Sequence, residues 1–280
     1  MLYTKFFLTI FLLSILNIGC TNSSTSLNNV QKEQLNENNL SININELLLN
    51  AKNGDIESQY NLGVIYSDGY GDILPDMDKA IHWYTIAANN GYKDAQYNLG
   101  YLYSNNTDFI NYEKSIYWYE RAANEGDIPA FNKLGYIYSI GLGIPKNEKK
   151  AFEYYSIAAN AGDPDAQANM GIMLIYGRGT SINRSQAFEL FNKSANKGIR
   201  LAQYNLALMY LIGDGIEKNY TEAIKWFTKA AEQNDAEAQY HLGKMYQDGL
   251  GTEKNLSQAK FWFKKSAENG NILSKKELEK

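Results

Sequence analysis

Cysteine and histidine are almost missing from this chain. One cysteine, Cys20, and two histidines, His82 and His241, stand among 280 residues. A single thiol excludes an intramolecular disulfide framework. The histidines lie far apart, with no HExxH or CxxC around either, so no zinc motif can be drawn. No serine occupies a G-x-S-x-G turn. The glycine-rich turns lack the Lys-Ser or Lys-Thr that follows a phosphate loop. Asp68-Gly69-Tyr70-Gly71-Asp72, with Asp76 and Asp78 beyond, lacks the ligand spacing and closing glutamate of an EF-hand and reads as a polar loop. An excess of positive charge is also missing: 27 Lys and Arg against 31 Asp and Glu leave a net charge of −4, which gives no support for nucleic-acid binding. These gaps lead us to expect no enzyme, no catalytic residue, no metal and no cofactor.

What is present is repetition. The phrase AQYNLG at 95–100 recurs as SQYNLG (58–63), AFNKLG (130–135), AQANMG (166–171), AQYNLA (202–207) and AQYHLG (238–243). The last residues are Gly63, Gly100, Gly135, Gly171, Ala207 and Gly243, spaced 37, 35, 36, 36 and 36 apart. Ala87-Ala88, Ala122-Ala123, Ala158-Ala159, Ser194-Ala195, Ala230-Ala231 and Ser266-Ala267 keep the same beat. So do five Gly-x-Gly turns, of which Gly141-Leu142-Gly143 is one; the second repeat has Asn105-Asn106-Thr107-Asp108 instead. A fixed period of this length marks a solenoid of stacked units.

Each unit reads as helix, turn, helix. Ser58, Leu62 and Tyr66, four apart, share one face of a first helix. The second helix carries a ring pair such as Trp83-Tyr84, Trp118-Tyr119, Tyr154-Tyr155 or Trp226-Phe227, then the small pair, then a glycine that caps its end. Asn234 takes that glycine's place once, and asparagine is the next-best residue for the left-handed conformation. Large rings on one helix against small residues on its neighbour let the two interlock. No unit can bury its apolar stripe alone, so stability comes from neighbouring units. The spacing predicts a capping helix over 46–53, six repeats over about 57–270 and a polar capping helix over 272–280.

The amino terminus has a different character. Lys5 precedes a nearly apolar run at 6–16, too short to span a bilayer, which needs about 20 residues. Small residues and Cys20 follow, as at the end of a secretory signal. The lone cysteine at that point resembles a bacterial lipoprotein signal, although Asn17 stands where an aliphatic residue is usual. The resemblance implies cleavage after residue 19, lipid on Cys20, and a place in the bacterial cell envelope. With no aspartate after the cysteine it implies the periplasmic side of the outer membrane. An ordinary signal peptide with an incidental cysteine would give a secreted chain instead. The Asn- and Ser-rich segment 20–45 has too little apolar mass to offset ordering and is expected to be a flexible tether.

The pattern A-x-x-x-L-G-x-x-Y-x-x-G-x-G, then K-A-x-x-W-Y and A-A-x-x-G, resembles that of Sel1-like repeats, relatives of tetratricopeptide repeats. Asp94-Ala95 through Gly126 shows much of it and Ala238 through Gly270 most of it; Leu174 and Ala207 depart from it. The resemblance covers about residues 46–280. It implies an all-α, right-handed α-solenoid with a concave face lined by first helices, and a protein that holds other proteins. Some Sel1-like proteins are β-lactamase-like and cysteine-rich; this chain lacks the bridging cysteines of that group.

The concave groove is therefore the candidate site. Its stripe holds Asn61, Asn98, Lys133, Asn169, Asn205 and His241, and a turn later Tyr101, Tyr136 and Lys244 among others. A row of amides can donate to and accept from the main chain of an extended peptide. The same amides can equally serve packing or bonds between repeats. Tyr60, Tyr97, Tyr204 and Tyr240 read as packing residues. Lys133, Lys244 and His241 break the pattern and could meet a partner's carboxylate. The expected function is an envelope-anchored protein-interaction scaffold or adaptor. The alternative is an inhibitor, or immunity protein, of a toxin or envelope hydrolase; a cell-wall hydrolase comes last.

Overall fold

A computed structural model describes residues 43–279. The signal segment, Cys20 and nearly all of the expected tether lie outside the described residues. The described residues form α-helices only, apart from an isolated bridge between Tyr70 and Ile73. They divide into two compact units with the boundary at Asn90/Gly91. The fold is an all-α solenoid of helix-turn-helix repeats.

The first unit holds α1 (Ile44–Lys52), α2 (Ile56–Asp68) and α3 (Met77–Asn89). Helix α1 starts earlier than the predicted 46, because the Asn43 side chain accepts the Glu46 N–H and caps the helix there. The last residues assigned to the tether therefore belong to a helix. Leu62 is fully buried, and the Tyr84 ring of α3 lies flat against Gly63 of α2, where a β-carbon would collide with it.

The second unit holds α4 (Lys93–Asn105), α5 (Tyr112–Asn124), α6 (Ile128–Ile140), α7 (Glu148–Asn160), α8 (Pro164–Tyr176), α9 (Arg184–Asn196), α10 (Arg200–Ile212), α11 (Tyr220–Glu232), α12 (Ala236–Asp248), α13 (Leu256–Glu268) and the short α14 (Ile272–Leu278). Each helix packs on the next one in the chain, as stacked repeats require. The second helix of every hairpin begins with an Asn or Asp whose side chain accepts the N–H three residues on; Asn147 with Lys150 and Asn219 with Glu222 are examples. The N–H of that same cap donates back to the first helix, Asn147 to the Tyr138 carbonyl at 2.9 Å and Asn219 to Tyr210 at 2.9 Å. One short polar residue thus starts a helix and closes the hairpin.

The core lies between the two helices of each repeat. Tyr119, Tyr155, Phe191 and Phe227 are essentially inaccessible, and the first three meet the glycine that ends the repeated phrase. A β-carbon at Gly135 would stand 2.7 Å from the Tyr155 ring, so that position needs glycine for contact rather than for conformation. Gly179 answers to both demands: its φ is +66°, and a β-carbon there would run into the Glu148 carbonyl at the start of α7. The Gly-x-Gly turn therefore also seats one repeat on the helix start of the repeat before it. Asn234, predicted to stand in for a capping glycine, has φ 61°.

Candidate functional site

In the second unit the first helices α4, α6, α8, α10 and α12 each turn one stripe away from the hairpin core. On α8 the stripe runs Asp165, Asn169, Ile172 and Tyr176, at offsets of four, three and four. All four are half-buried, while Ala166, Gln167, Met170 and Gly171 are buried. Neighbouring first helices touch directly. The Asn169 amide donates to Asn132 Oδ1 at 3.2 Å, joining α8 to α6. Tyr204 Oη lies 3.5 Å from His241 Nε2, joining α10 to α12. Gln247 donates to Glu277 at 3.5 Å, joining α12 to α14. The stripes therefore lie side by side in the second unit.

The expected site residues meet different fates. Asn98, Tyr101, Lys133, Tyr136, Asn169, Asn205 and Lys244 are all half-buried on this face. The amides do not point outward as a uniform ladder. Asn169 is used between repeats, and the Asn205 amide folds back onto the Leu201 carbonyl of its own helix at 2.8 Å. Lys244 donates to Gln247. Asn61 is half-buried on α2 in the first unit. Cys20 lies outside the described residues.

His241 is the correction. Expected in the groove, it is only 2% exposed. Its ring stacks on Phe227 at 5.0 Å with 14° between planes, and Tyr204 and Tyr240 flank it at 5.9 and 5.7 Å. An imidazole has two apolar faces and gains from burial between rings, which the shorter asparagine amide at this position in other repeats does not. Burial pushes its pKa down to about 4, so the ring is neutral in the fold. The cationic contact expected of it is not available. Tyr60, Tyr97, Tyr204 and Tyr240 are buried packing residues, as their sequence suggested, each set against a second-helix ring; Tyr97 and Tyr119 are 5.4 Å apart.

Sequence reasoning passed over the glutamine in five of the six phrases. Gln239 Nε2 donates to the Ala231 carbonyl at 2.9 Å, and its Oε1 accepts from the Asn269 amide at 2.9 Å. Gln203 does the same with the Ala195 carbonyl and the Gln233 amide. In the first unit Gln59 bonds to Ala51 and accepts from Asn90. One buried amide thus ties its own hairpin to the second helix of the preceding repeat. The only sequence signal was its recurrence. In the third repeat Phe131 takes the place and packs towards the Tyr154 ring at 6.2 Å.

The N-terminal end of the face is acidic. Burial raises the Asp163 carboxyl, and Asp165 beside it adds to this, while the Ala166 N–H and Lys133 pull the other way. Burial also raises Glu237, whose Oε1 accepts from Asn271 at 2.8 Å. Asp235 pairs with Arg200. Among the described residues no three His, Cys, Asp or Glu side chains gather as metal ligands would, and no helix is long and apolar enough to cross a membrane.

A stack of two-helix repeats with one continuous half-exposed helix face is a helical-repeat scaffold. The Sel1 repeat family matches at residues 56–92, 93–127, 129–163, 164–199, 200–235 and 236–271, and the chain belongs to that family. Proteins of this kind are typically non-catalytic and mediate protein–protein interaction. The chain is similar to c5321, a protective antigen present in uropathogenic Escherichia coli strains displaying an SLR fold. Identity is 31% over 85% of this chain, with a TM-score of 0.79, and the chain spans about half of that protein, 51%. A Sel1 repeat protein from Oxalobacter formigenes is also 31% identical, over 83% of this chain and 67% of that one, with a TM-score of 0.74. The immunity protein PA5088 from Pseudomonas aeruginosa, 21% identical over 77% of this chain and 82% of its own, with a TM-score of 0.50, shares the fold alone. No curated protein matches the chain.

Proposed function

We propose that this chain is a protein-binding adaptor of the bacterial cell envelope, held there by lipid on Cys20, and that it receives its partner on the first-helix face of the second unit. The observation that carries the reading is the set of contacts between first helices. They set half-exposed stripes beside one another over several repeats, and a long, ordered, partly apolar face is what a repeat scaffold offers a protein. Tyrosines such as Tyr101 and Tyr136 supply anchoring area at low entropic cost.

Cross-linking in cells followed by recovery of the full chain tests this. Wild type should capture a defined partner, and Tyr101→Ala with Lys133→Ala and Tyr136→Ala should lose most of it while keeping the far-ultraviolet helical signal. Undiminished capture by that variant would move the site off this face. A recovered toxin or hydrolase whose activity is blocked would make the protein an inhibitor rather than an adaptor. For the anchor, Cys20→Ser should abolish fatty-acid labelling and release the chain from membranes; unchanged retention overturns the lipid.

A further inference from the structure

The second helix of the last hairpin, α13, is unlike its counterparts. Its position 260 corresponds to Ile116, Phe152, Phe188 and Ile224 in the four repeats before it, each 36 residues from the next. All four are buried or half-buried. In α13 the residue is Lys260, and it is exposed. Leu256, one turn earlier, is 61% exposed, whereas Tyr220, at its register in α11, is closely approached by Gly251 of the following turn. Phe261 is 48% exposed, and Lys265 Nζ lies 4.9 Å from the centre of its ring. At about 100° per residue, Leu256, Lys260, Lys264, Phe261 and Lys265 take up about half the circumference of the helix.

Positive charge is gathered there, in a chain whose net charge is −4. From residue 254 to 276 six lysines stand against one carboxylate, Glu268. Glu253, Glu277 and Glu279 flank the segment, and Glu277 accepts from Gln247. Glu268 meets Lys264 at 4.0 Å, with 62% and 74% of the two side chains exposed, so the pair neutralises little. Lys254, Lys260, Lys275 and Lys276 are exposed and make no ion pair among the described residues. A further repeat or an apolar protein surface laid on α13 would strip water from Lys260 at a cost. The exposed half of a single helix is convex and gives a partner's side chains no pocket. A fluid layer of anionic headgroups meets both conditions: its phosphates pair with hydrated lysines, and its acyl boundary takes isolated rings and aliphatic chains.

We propose that the exposed face of α13 lies on an anionic bilayer surface, with Lys260, Lys264 and Lys265 at the headgroup phosphates and Leu256 and Phe261 reaching towards the acyl boundary. This rests on the envelope reading, in which lipid on Cys20 brings the chain to a bilayer. As a second helix, α13 takes no part in the first-helix face, which stays free for a partner protein.

Flotation of the full chain carrying Cys20→Ser, and therefore no lipid, tests it. One set of vesicles is phosphatidylcholine with about a third phosphatidylglycerol; the other is phosphatidylcholine alone. Binding to the anionic set should be at least about tenfold stronger and should fall as salt is raised. The apolar run at 6–16 is the same in every chain compared, so only differences are read. Lys260→Gln with Lys264→Gln and Lys265→Gln should remove the anionic preference, and Phe261→Ser should weaken binding about threefold or more. Lys149→Gln with Lys193→Gln and Lys197→Gln makes the same change in net charge at exposed sites elsewhere and should leave the preference intact. All variants should keep the helical signal. Equal binding to both sets, no binding to either, a preference that survives loss of the α13 lysines, an equal loss in the control variant, or indifference to Phe261→Ser overturns the proposal. An acidic protein captured through the α13 lysines, without vesicle preference, also overturns it. Fatty-acid labelling of Cys20 reports on the anchor separately. A labelled chain whose α13 ignores anionic vesicles loses only this contact; an unlabelled chain that prefers them loses only the anchor.

Discussion

At the scale of single residues, chemistry and packing part company most clearly at His241. In sequence it breaks a column of asparagines and invites a functional role. In the fold it is a flat ring stacked on Phe227. Its depressed pKa has a consequence of definite sign. Folded, the ring stays neutral to about pH 4; unfolded, it takes up a proton near the ordinary 6.5. Stability from this group is whole above pH 6.5, declines as the pH falls towards 4 and is lost below that, by at most about 3 kcal/mol. Asp127, Asp163 and Glu237, whose carboxyls burial raises, push the other way at the acid end of the window. The comparison with a variant isolates the histidine. His241→Asn, which restores the residue of four other repeats, should flatten the fall in urea midpoint between pH 6.5 and 4 relative to wild type. Parallel profiles for the two proteins would count against the buried neutral ring. The glycines of the repeated phrase were easier to read, because a small residue beside a large one at constant spacing has one physical meaning: the ring of Tyr155 rests where a side chain on Gly135 would be.

At the scale of elements, every helix of the second unit is short, and none carries a complete core. What joins one hairpin to the next is partly polar. The glutamine of the repeated phrase reaches a carbonyl of the preceding second helix that water cannot reach, and this adds direction to an otherwise apolar joint. A buried hydrogen-bond group left without its partner costs about 1–3 kcal/mol. Gln239→Leu keeps the volume and removes both bonds, so it should lower stability by about that much and speed amide exchange in α11 and α13 before it affects α4 or α5. Uniform acceleration throughout the second unit would mean that the clamp is not local. Helix ends were legible from the glycine after each second helix, and from Asn234 where it stands in. The glutamine's role was not, because its acceptor belongs to another repeat.

At the scale of the whole molecule, stability is expected to be a sum over neighbours, since helices in the second unit contact those next to them in the chain. Removal of one internal repeat, residues 164–199, joins Asp163 to Arg200 in register with the period of the chain. The shortened protein should stay helical and unfold cooperatively at a lower midpoint, with a smaller denaturant dependence in keeping with the surface lost. A chain that fails to fold would show that the repeats depend on more than their neighbours. Period, hairpin, capping and ring-on-small-residue packing were determined by the sequence alone, because each is a local relation that recurs from repeat to repeat. Burial of His241, the bond of Asn169 to Asn132 and the glutamine clamp were decided only by tertiary structure. Their environment is built mainly by the adjacent repeat, some 36 residues away, and a face shared by several helices has no address in any one of them.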